Sequence, residues 1–439
     1  MAREMKDSGI EWIGEIPREW ETARLKTLFS FGKGLPITKE NLCEFGVPVI
    51  SYGQIHSKTN TGVKVQKELI RYVSESYLET NEQSLVNESD FIFADTSEDM
   101  DGCGNCVYVD SQSVLFAGYH TIILHSRKNR NNRYLAYLFK ADNWRCQIRG
   151  RVSGVKVFSI SRKILSDAAV LLPPVSEQQT IADFLDNQCS HIDSVIEKTH
   201  AAIEEYKKLK QAVITQAVTK GIRPNREMKD SGIEWIGGIP KEWNVVKIKH
   251  LGEYRNGLTY NPTDVVDKSG GVLVLRSSNI QHGKLCLVDN VYVNMTIPEQ
   301  LMVKKGDIVI CSRNGSKALI GKCAVVEESM VASFGAFMMS YRCKSSKYMY
   351  YILNSEVFKY HLNTFLTATI NQLTGGNFGN MSIVWCNNEF EQSEIVAYLD
   401  VKTAAIDSLI QKKEQLITEL EAYKKSLIYE YVTGKKEVV

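Results

Sequence analysis

Two long segments of the chain carry apolar side chains at a spacing of seven residues. The first begins at Glu177 and reaches Lys220 without a glycine or a proline, and the second begins at Glu391. An apolar seven-residue repeat that is kept over about five heptads is typical of coiled-coil helices. The pattern therefore predicts two long helices, and the first would be roughly 65 Å long if it were helical throughout.

The two predicted helices can pair with each other. With heptad position a at Leu185 and Leu399, apolar residues also fill positions d and e. Antiparallel pairing would relate the two halves of the chain by a pseudo-two-fold axis, whereas in the alternative each helix packs on its own domain. The residues expected to make the helix–helix contact are Leu185, Ile192, Ile196, Ile203, Tyr206, Leu209 and Val213 in the first helix and Leu399, Ile406, Ile410, Ile417, Leu420 and Leu427 in the second.

The segments that precede the two helices alternate between short β-type runs and turn residues. Strand patterns dominate from Arg24 to about Ile164 and from Val245 to about Cys386. Each segment also has a helical stretch, RYLAYLFKADNW in the first and YMYYILNSEVFKYHLN in the second. The predicted fold class is α+β, with two mixed α/β domains joined and separated by the two antiparallel coiled-coil helices.

Sequence repeats show that the chain is duplicated. Residues Met5–Trp20 and Met228–Trp243 agree at 14 of 16 positions, and we call these segments the first and the second strap. The helix start EQQTIADFLD at Glu177 returns as EQSEIVAYLD at Glu391. Because the two offsets, 223 and 214 residues, are nearly equal, each copy consists of a strap, a variable domain and a long helix, a pseudo-two-fold internal repeat.

Each strap holds two tryptophans around a proline, Trp12 and Trp20 in the first. Large aromatic side chains bury well, so packing against the rest of the domain is the favoured interpretation. Direct contact of the tryptophans with DNA or with a partner protein is the alternative.

Composition and charge exclude several classes of protein. With 439 residues, of which 44% are hydrophobic and 24% charged, the chain is typical of a folded protein of two domains. No apolar run is long enough to span a membrane, and the N-terminus lacks the apolar core of a signal peptide, so a cytoplasmic protein is expected. The net charge of +2 means that a nucleic-acid partner would need local basic patches. The ten cysteines are expected to be mostly buried thiols.

The motifs at the junctions of the repeat have a recognisable order. A variable domain is followed by LPPVSEQ, a heptad helix that ends in AVTKG, and then MKDSGIEWIG. This order, repeated once over essentially the whole chain, resembles the specificity subunit of a Type I restriction-modification system. The second copy departs from it, because VWCNNEFEQ around Trp385 replaces LPP. The turn before the second helix is therefore expected to differ, while Glu391 and Gln392 keep the helix start.

The resemblance implies a DNA-recognition protein that is not an enzyme. Its two target recognition domains would each read one half of a bipartite site in double-stranded DNA, and the paired helices would set the spacing. Two methyltransferase (modification) subunits, which bind S-adenosylmethionine and methylate adenine, would dock around the helices, and restriction subunits can join them; no cofactor is expected in this chain. The expected organisation is residues 1–23 for the N-terminal strap region, 24–172 for the first target recognition domain, 173–222 for the central helix, 223–244 for a linker with the second strap, 245–388 for the second target recognition domain and 389–439 for the C-terminal helix.

Cationic and polar side chains are the candidates for DNA contact, because cations meet phosphates and polar groups read base edges. In the first domain no acid occurs between Asp142 and Asp167, and we expect phosphate contacts there. The cations of this stretch are Arg145, Arg149, Arg151, Lys156, Arg162 and Lys163. The other candidates are Lys33, Tyr52, Gln54, His56 and Lys58 in the first domain and Arg255, Asn256, Arg276, Ser278, Asn279, Gln281, Arg313, Asn314 and Lys317 in the second.

Motifs of metal sites and of enzymes are weak in this sequence. Cys103 and Cys106 have zinc-knuckle spacing, but no second pair follows, and the acids between Asp95 and Asp101 lack the spacing of a calcium loop. Asn261–Asp264 matches the Asn-Pro-Pro-Tyr motif of adenine methyltransferases only in part. We therefore predict neither a metal site nor a catalytic site. Two alternatives stay open, a self-sufficient nuclease or methyltransferase and a coiled-coil protein–protein adaptor that does not read DNA.

Overall fold

The computed structural model describes residues 3–127, 132–366 and 371–438. The chain divides into two compact units, one formed by residues 1–198 and 415–439 and the other by residues 199–414. Each unit holds one strap, one variable domain and a part of both long helices. The boundary between the units falls inside the long helices rather than in a loop.

The first copy of the repeat, with its strap, variable domain and long helix, is made of short strands and short helices followed by one helix of 46 residues. The strands are β1 Met5–Asp7, β2 Glu15–Pro17, β3 Glu21–Arg24, β4 Phe29–Lys33, β5 Val47–Ile50, β6 Arg71–Val73, β7 Phe91–Ala94, β8 Thr96–Ser97, β9 Cys106–Tyr108, β10 Phe116–Ala117, β11 Thr121–Ser126, β12 Phe158–Ser159 and β13 Ala169–Leu172. The helices are α1 Leu25–Leu28, α2 Tyr52–Ile55, α3 Tyr77–Thr80, α4 Arg133–Lys140, α5 Asp142–Arg149, α6 Arg162–Ser166 and α7 Val175–Lys220.

The second copy repeats this plan and ends in a helix of 44 residues. Its strands are β14 Met228–Asp230, β15 Gly238–Pro240, β16 Asn244–Lys247, β17 Gly252–Asn256, β18 Val265–Val266, β19 Val272–Leu275, β20 Ile280–Gln281, β21 Lys284–Leu285, β22 Val291–Val293, β23 Ile308–Cys311, β24 Cys323–Val325, β25 Ala332–Phe334, β26 Met338–Cys343 and β27 Ser382–Trp385. Its helices are α8 Ser346–Leu353, α9 Glu356–Phe365, α10 Gly375–Asn380 and α11 Glu389–Val432.

The sheets of the two variable domains share a common set of equivalent strands, and the sheet with the parallel pair has one more strand, β18, in the second domain. An antiparallel sheet of order β4-β11-β7-β9 in the first domain corresponds to β17-β26-β23-β24 in the second. Beside it, a parallel pair, β10 with β5, corresponds to β25 with β19. The same backbone hydrogen bond extends the parallel pair in both domains, from Gly118 N to Ile50 O at 2.7 Å and from Gly335 N to Leu275 O at 2.9 Å. The internal repeat is therefore confirmed where the sequences share almost no identity.

The central strands owe their position to uninterrupted apolar runs. Strand β7, with the sequence FIFA, and strand β23, with IVIC, are buried at every residue. In the first domain Phe91, Phe93 and Trp144 pack around Phe139 with ring centroids 4.4–5.4 Å apart. Fully burying a large apolar side chain contributes about 1.5–3 kcal/mol, so helices α4 and α5 are held on the sheet mainly by aromatic contact.

The long helices bury a narrower stripe than the sequence predicted. Heptad positions a and e are turned inwards, for example at Leu399, Ile406 and Ile417. Position d is turned outwards, and Leu209 and Leu409 are 48% and 42% exposed. A two-helix contact takes only two positions from each heptad, so the third apolar position is left at the surface. The seven-residue period was predicted correctly, but Leu209 does not belong to the helix–helix contact.

Antiparallel pairing of the long helices is confirmed in both units. In the first unit Lys424 Nζ lies 2.5 Å from Asp193 Oδ1, and in the second Lys210 Nζ lies 2.7 Å from Asp407. The two ion pairs exchange roles between the helices, since 214 residues separate both the lysines and the aspartates. This arrangement is what a pseudo-two-fold repeat requires, and it rules out helices that pack only on their own domains.

Each strap is fixed to the start of a long helix by a tryptophan and an arginine. In the first copy Glu177 accepts hydrogen bonds from Trp20 Nε1 at 2.9 Å and from both terminal nitrogens of Arg3 at 2.7 and 2.8 Å. The equivalent Glu391 accepts from Trp243 Nε1 at 3.4 Å and from Arg226. We call each set an Arg–Trp–Glu latch. Because Trp20 and Trp243 are buried, the packing interpretation holds for these two tryptophans.

The two long helices start at equivalent residues with different caps. Helix α7 follows Pro173 and Pro174 directly, whereas the side chain of Asn388 caps helix α11 by accepting from the backbone N–H groups of Phe390 and Glu391 at 2.9 and 3.1 Å. An asparagine cap satisfies free N–H groups at a helix start. The turn therefore differs as expected, and the helix start is kept.

All ten cysteines are free thiols, and six of them are buried. Within the described ranges, no group of His, Cys, Asp or Glu side chains is arranged to hold a metal ion. The same part of the chain has no helix that is both long enough and apolar enough to cross a membrane.

Candidate nucleic-acid interface

One edge of each variable domain gathers turns from both sheets. In the first domain this edge is formed where β5 leads into α2, where β7 ends, and where β11 begins. These turns place five side chains together, and we call them the first edge cluster: Tyr52, Asp95, Thr96, Tyr119 and His120. The register of the strands, with Thr121 opposite Ala94, brings residues 95 and 120 next to each other.

The first edge cluster is built around His120. Its backbone lies in the left-handed region, with φ +55°, which is uncommon for residues other than glycine. Its Nδ1 lies 3.3 Å from Asp95 Oδ1, and the rings of Tyr52 and Tyr119 lie 5.3 and 6.0 Å from the imidazole. Donation from Nδ1 to the carboxylate leaves Nε2 available to a partner outside the domain.

The second domain has the same edge with different chemistry. Its second edge cluster comprises Ser277, Ser312, Arg313, Asn314 and Phe337. The guanidinium carbon of Arg313 lies 5.3 Å from the centre of the Phe337 ring, and that ring is 59% exposed. Asn314 Nδ2 donates to Ser277 Oγ at 3.2 Å.

The strand register makes the two clusters equivalent residue by residue. Because Cys311 pairs with Met338 as Ala94 pairs with Thr121, Ser312 corresponds to Asp95, Arg313 to Thr96 and Phe337 to His120. Backbone hydrogen bonds agree, since Asp95 N donates to His120 O at 3.1 Å and Ser312 N donates to Phe337 O at 3.0 Å. Both domains therefore present different side chains from one backbone framework.

The candidates of the first domain differ in whether their polar groups already have hydrogen-bond partners inside the protein. Tyr52 belongs to the edge cluster, and Lys33 and Lys58 are exposed. Gln54 accepts from the backbone N–H of Ser51 at 3.1 Å, which leaves its amide nitrogen free to donate. His56 uses both ring nitrogens inside the protein, because Nε2 lies 2.8 Å from Thr96 O and Nδ1 lies 3.1 Å from Asn105 Nδ2.

In the cationic stretch of the first domain, two arginines bind groups of the protein itself, and two other cations are exposed to solvent. Arg145 Nε donates to Phe139 O at 3.0 Å, and burial lowers the pKa of its guanidinium. Arg149 donates to Asp101 O and pairs with Asp142 at 3.2 Å. In contrast, Arg151 and Lys156 are exposed on the loop after α5. The exposed pair is better placed for phosphate contact than the two arginines of the helix.

A second basic surface of the first domain lies beside strand β4. A shallow depression there is lined by Lys26, Arg127, Arg162 and Lys163 together with Phe31. The guanidinium of Arg162 lies over the Phe31 ring, 5.4 Å from its centre. Clustered cations of this kind can neutralise the phosphates of a DNA backbone.

The candidates of the second domain also divide into bound and available groups. The guanidinium groups of Arg255 and Arg276 pair with Glu253 and Asp289, each at 2.8 Å. Asn279 is fully buried, and its amide donates to backbone oxygens of residues 286 and 289. Ser278 and Asn314 are partly buried, and Lys317 donates to Leu366 O at 2.7 Å although its side chain is exposed. The exposed candidates are Asn256, Gln281, Arg313 and Lys317.

Seven side chains of the edge clusters were not among the predicted contacts, namely Asp95, Thr96, Tyr119 and His120 in the first cluster and Ser277, Ser312 and Phe337 in the second. No short motif marks them, because residues 95 and 120 meet only through the pairing of β7 with β11. The one available signal was the position of His120 and Phe337. Each lies directly before a strongly apolar strand, TIILHS after His120 and MMSYRC after Phe337.

The edge clusters are suited to recognition. They offer hydrogen-bond donors, acceptors and exposed aromatic faces, the groups that distinguish bases in a DNA groove. A nucleophile beside a base and an orienting third group, the usual sign of covalent catalysis, does not occur at either edge in the described residues. The groups present at these edges therefore fit contacts with base edges.

Comparison with known proteins assigns the chain to a family. The family model described as Type I restriction modification DNA specificity domain matches twice, at residues 17–205 and 240–419. The MjaVIII specificity subunit of a Type I restriction enzyme from Methanocaldococcus jannaschii is 25% identical and covers 96% of this chain and 94% of the relative. The EcoKI specificity subunit of Escherichia coli is 26% identical over 206 residues, which is 45% of this chain and 44% of the relative.

Two solved structures share the fold. One, described as the structural basis of complex assembly and conformational transition of the type I R-M system, has a TM-score of 0.71 at 15% identity and covers 96% of this chain and 99% of that chain. The HsdS subunit from Thermoanaerobacter tengcongensis has a TM-score of 0.50 at 14% identity, with 96% and 98% covered. The resemblance seen in the sequence is confirmed: the chain belongs to the Type I restriction modification DNA specificity domain family and carries two copies of that domain.

Proposed function

We propose that this chain selects the DNA target of a Type I restriction-modification complex. Each specificity domain reads one half of a bipartite site in double-stranded DNA through its edge cluster and the basic groups around it. The observation that carries the proposal is the pair of equivalent edges, which present Asp95, Thr96 and His120 in one domain and Ser312, Arg313 and Phe337 in the other. A single framework with two sets of polar and aromatic groups suits an asymmetric target.

The long helices serve two purposes in this proposal. Their pairing sets the spacing between the half-sites, as the geometry of a dimer does in simpler DNA-binding proteins. Their outward d positions offer apolar side chains to partner proteins, at Leu209, Leu409, Leu416 and Tyr423, which are 39–54% exposed. Exposed apolar stripes on a folded helix are typical of interaction surfaces. The occupants would be two modification subunits, and restriction subunits can join the complex.

Catalysis belongs to the partners in this scheme. S-adenosylmethionine would bind the modification subunits, which methylate adenine, and this chain would supply orientation and sequence choice. Flipping the target adenine out of the DNA duplex for methylation would also be a task of those subunits. This chain then needs neither a cofactor nor a metal ion.

The test of the proposal is a map of methylated adenines in the source cell with and without the gene. We expect one split motif with a fixed gap to lose its methylation when the gene is deleted. A map that does not change would contradict the proposal.

A binding experiment separates DNA reading from the adaptor alternative. The complex should bind DNA with an affinity that falls steeply as salt rises, because each neutralised phosphate releases counterions. Assembly without DNA binding would favour the coiled-coil adaptor instead.

A further inference from the structure

The second edge cluster contains a cation that the protein itself does not use. Between Asp307 and Glu327 the chain has no acid and three cations. Lys317 and Lys322 donate to backbone carbonyls. Within the described part of the chain, the guanidinium of Arg313 donates no hydrogen bond and forms no ion pair. Its donors are therefore available to a partner outside the domain.

The backbone of Arg313 is held firmly at the end of a buried strand. Its N–H donates to Phe337 O at 3.1 Å, and residue 313 also forms a β-bridge with Gln372. The preceding Ser312 accepts from Leu373 N at 2.7 Å. Three separate segments of the chain thus fix the base of this side chain.

The guanidinium has a platform as well. At 5.3 Å from the ring centre of Phe337 it lies within cation–π range. A long side chain that rests on a ring loses less rotamer freedom when it binds, and such preorganisation raises affinity and selectivity. An arginine that only neutralised phosphate would need neither the fixed base nor the platform.

We propose that Arg313, resting on Phe337, reads a guanine in the half-site of the second specificity domain. The chemistry is specific, because the two parallel donors of a guanidinium match O6 and N7 of guanine in the major groove. The proposal rests on the function proposed above and names one base contact of the same site.

The first specificity domain lacks this reader. Thr96 stands where Arg313 stands in the second domain, and His120, tied to Asp95, replaces Phe337. A threonine hydroxyl and an imidazole present another arrangement of donors and acceptors. Removing the guanidinium should therefore alter one half of the target and leave the other half as it was.

The experiment uses the complete chain assembled with its modification subunits and S-adenosylmethionine. A library of DNA duplexes, with the bases of both half-sites randomised, is methylated by the wild type, by Arg313→Gln and by Phe337→Leu, and the methylated molecules are sequenced. Lys305→Gln is the matched control, because this exposed lysine lies before the opposite end of strand β23.

We expect the wild type to prefer guanine at a position in one half-site. Arg313→Gln should lower that preference about tenfold or more and increase acceptance of adenine, since glutamine matches adenine N6 and N7. Phe337→Leu should weaken the same preference to a smaller degree. The other half-site should stay unchanged in both variants, and Lys305→Gln should behave like the wild type at both.

Two outcomes would overturn the inference while the proposed function stands. One is an equal loss of methylation on all sequences in Arg313→Gln, which is the behaviour of a phosphate contact. The other is an unchanged base preference in that variant. If the wild-type complex itself shows no split motif, the proposed function fails and this inference fails with it.

Discussion

At the scale of single residues, the Arg–Trp–Glu latch of the second copy places the carboxylate of Glu391 in a buried position, where only a few side chains can donate hydrogen bonds to it. Burial by itself would raise the pKa of Glu391, but hydrogen bonds from Arg226 and Trp243 outweigh it and lower the pKa. The carboxylate is therefore held in its charged form, and its partners are arranged for that charge.

Glu391→Gln should destabilise the protein although it hardly changes the shape of the side chain. The variant removes the buried carboxylate that accepts from Arg226 and Trp243, and hydrogen bonds to a charged group contribute about 1.5–3 kcal/mol, while Glu242 still pairs with Arg226. Chemical denaturation measures the effect, with Glu242→Gln as control, since this exposed second partner of Arg226 should leave the free energy of unfolding nearly unchanged. Because the pKa of Glu391 is lowered, the wild type should lose this advantage as the pH falls below about 4.5. Equal stability of the two variants would contradict the latch.

Lys140 is a second residue whose charge affects stability, in this case unfavourably. Burial, together with the nearby Lys424 and Arg145, lowers its pKa to about 8. The unfolded chain keeps the ordinary pKa of 10.5, so between pH 8 and 10.5 the folded state binds fewer protons, and stability contributed by this site rises with pH.

Lys140→Met should therefore raise the free energy of unfolding at pH 7 by about 1–3 kcal/mol. The gain should shrink as the pH rises through the window from 8 to 10.5. Denaturation curves between pH 7 and 10 check this, with Lys425→Met, an exposed lysine on the same helix as Lys424, as the control without effect. A gain that does not depend on pH would point to packing rather than to charge.

The sequence could not predict which side chains meet at the edge clusters. Arg313 was a candidate because its side chain is cationic. Phe337 was not, because its closeness to Arg313 depends on the register of β23 against β26. His56 and Asn279 looked like readers from their type, yet hydrogen bonds inside the domain occupy them. Type and charge are visible in a sequence, whereas the partners of a side chain are not.

At the scale of elements, the long helices show what a seven-residue apolar repeat can predict and what it cannot. The seven-residue spacing predicted their extent and their pairing. It did not decide between positions d and e, because both are apolar and only the direction of the partner helix distinguishes them. In the structure e faces the partner helix and d faces outwards, as Ile417 and its neighbour Leu416 show with 7% and 39% exposure.

These two neighbours should respond differently to the same substitution. Ile417→Ala should lower the free energy of unfolding by about 2–4 kcal/mol, because it opens a cavity in the helix contact. Leu416→Ala should cost less than about 1 kcal/mol, but it should weaken binding of the modification subunits. Denaturation and co-purification measure the two effects. The assignment of d as the docking side fails if Leu416→Ala binds those subunits as the wild type does.

At the scale of the whole molecule, the last turns of the chain complete the first unit. Leu427, Ile428 and Val432 belong to its hydrophobic core together with Trp20. Tyr134 Oη donates to Val432 O at 2.8 Å. In addition, Gly434 has φ +69°, and a side chain there would collide with Pro17. The first strap, near the start of the chain, thus packs against the last turns of the long helix α11 and the residues that follow it.

Deleting residues 427–439 should loosen the first unit and spare the second. Hydrogen exchange measured by mass spectrometry should become faster around Trp20 and Glu177, because their cover is removed. Peptides around Trp243 should exchange as before. Glu437→Gln is the control, since this exposed residue lies in the same segment, and the variant keeps Val438 and Lys435, whose Nζ donates to Glu15 O. Uniformly faster exchange in both units would contradict the division of the chain into two units.

The two latches also have a consequence for inheritance. Arg3 and Arg226, Trp20 and Trp243, and Glu177 and Glu391 occupy matching places in the two copies. Recombination within a strap, between two genes that both encode the latch, would therefore join the front of one gene to the back of the other and keep every latch complete. Under the function proposed above, the recombinant protein would select a new DNA target in one genetic step, without compensating mutations in the core.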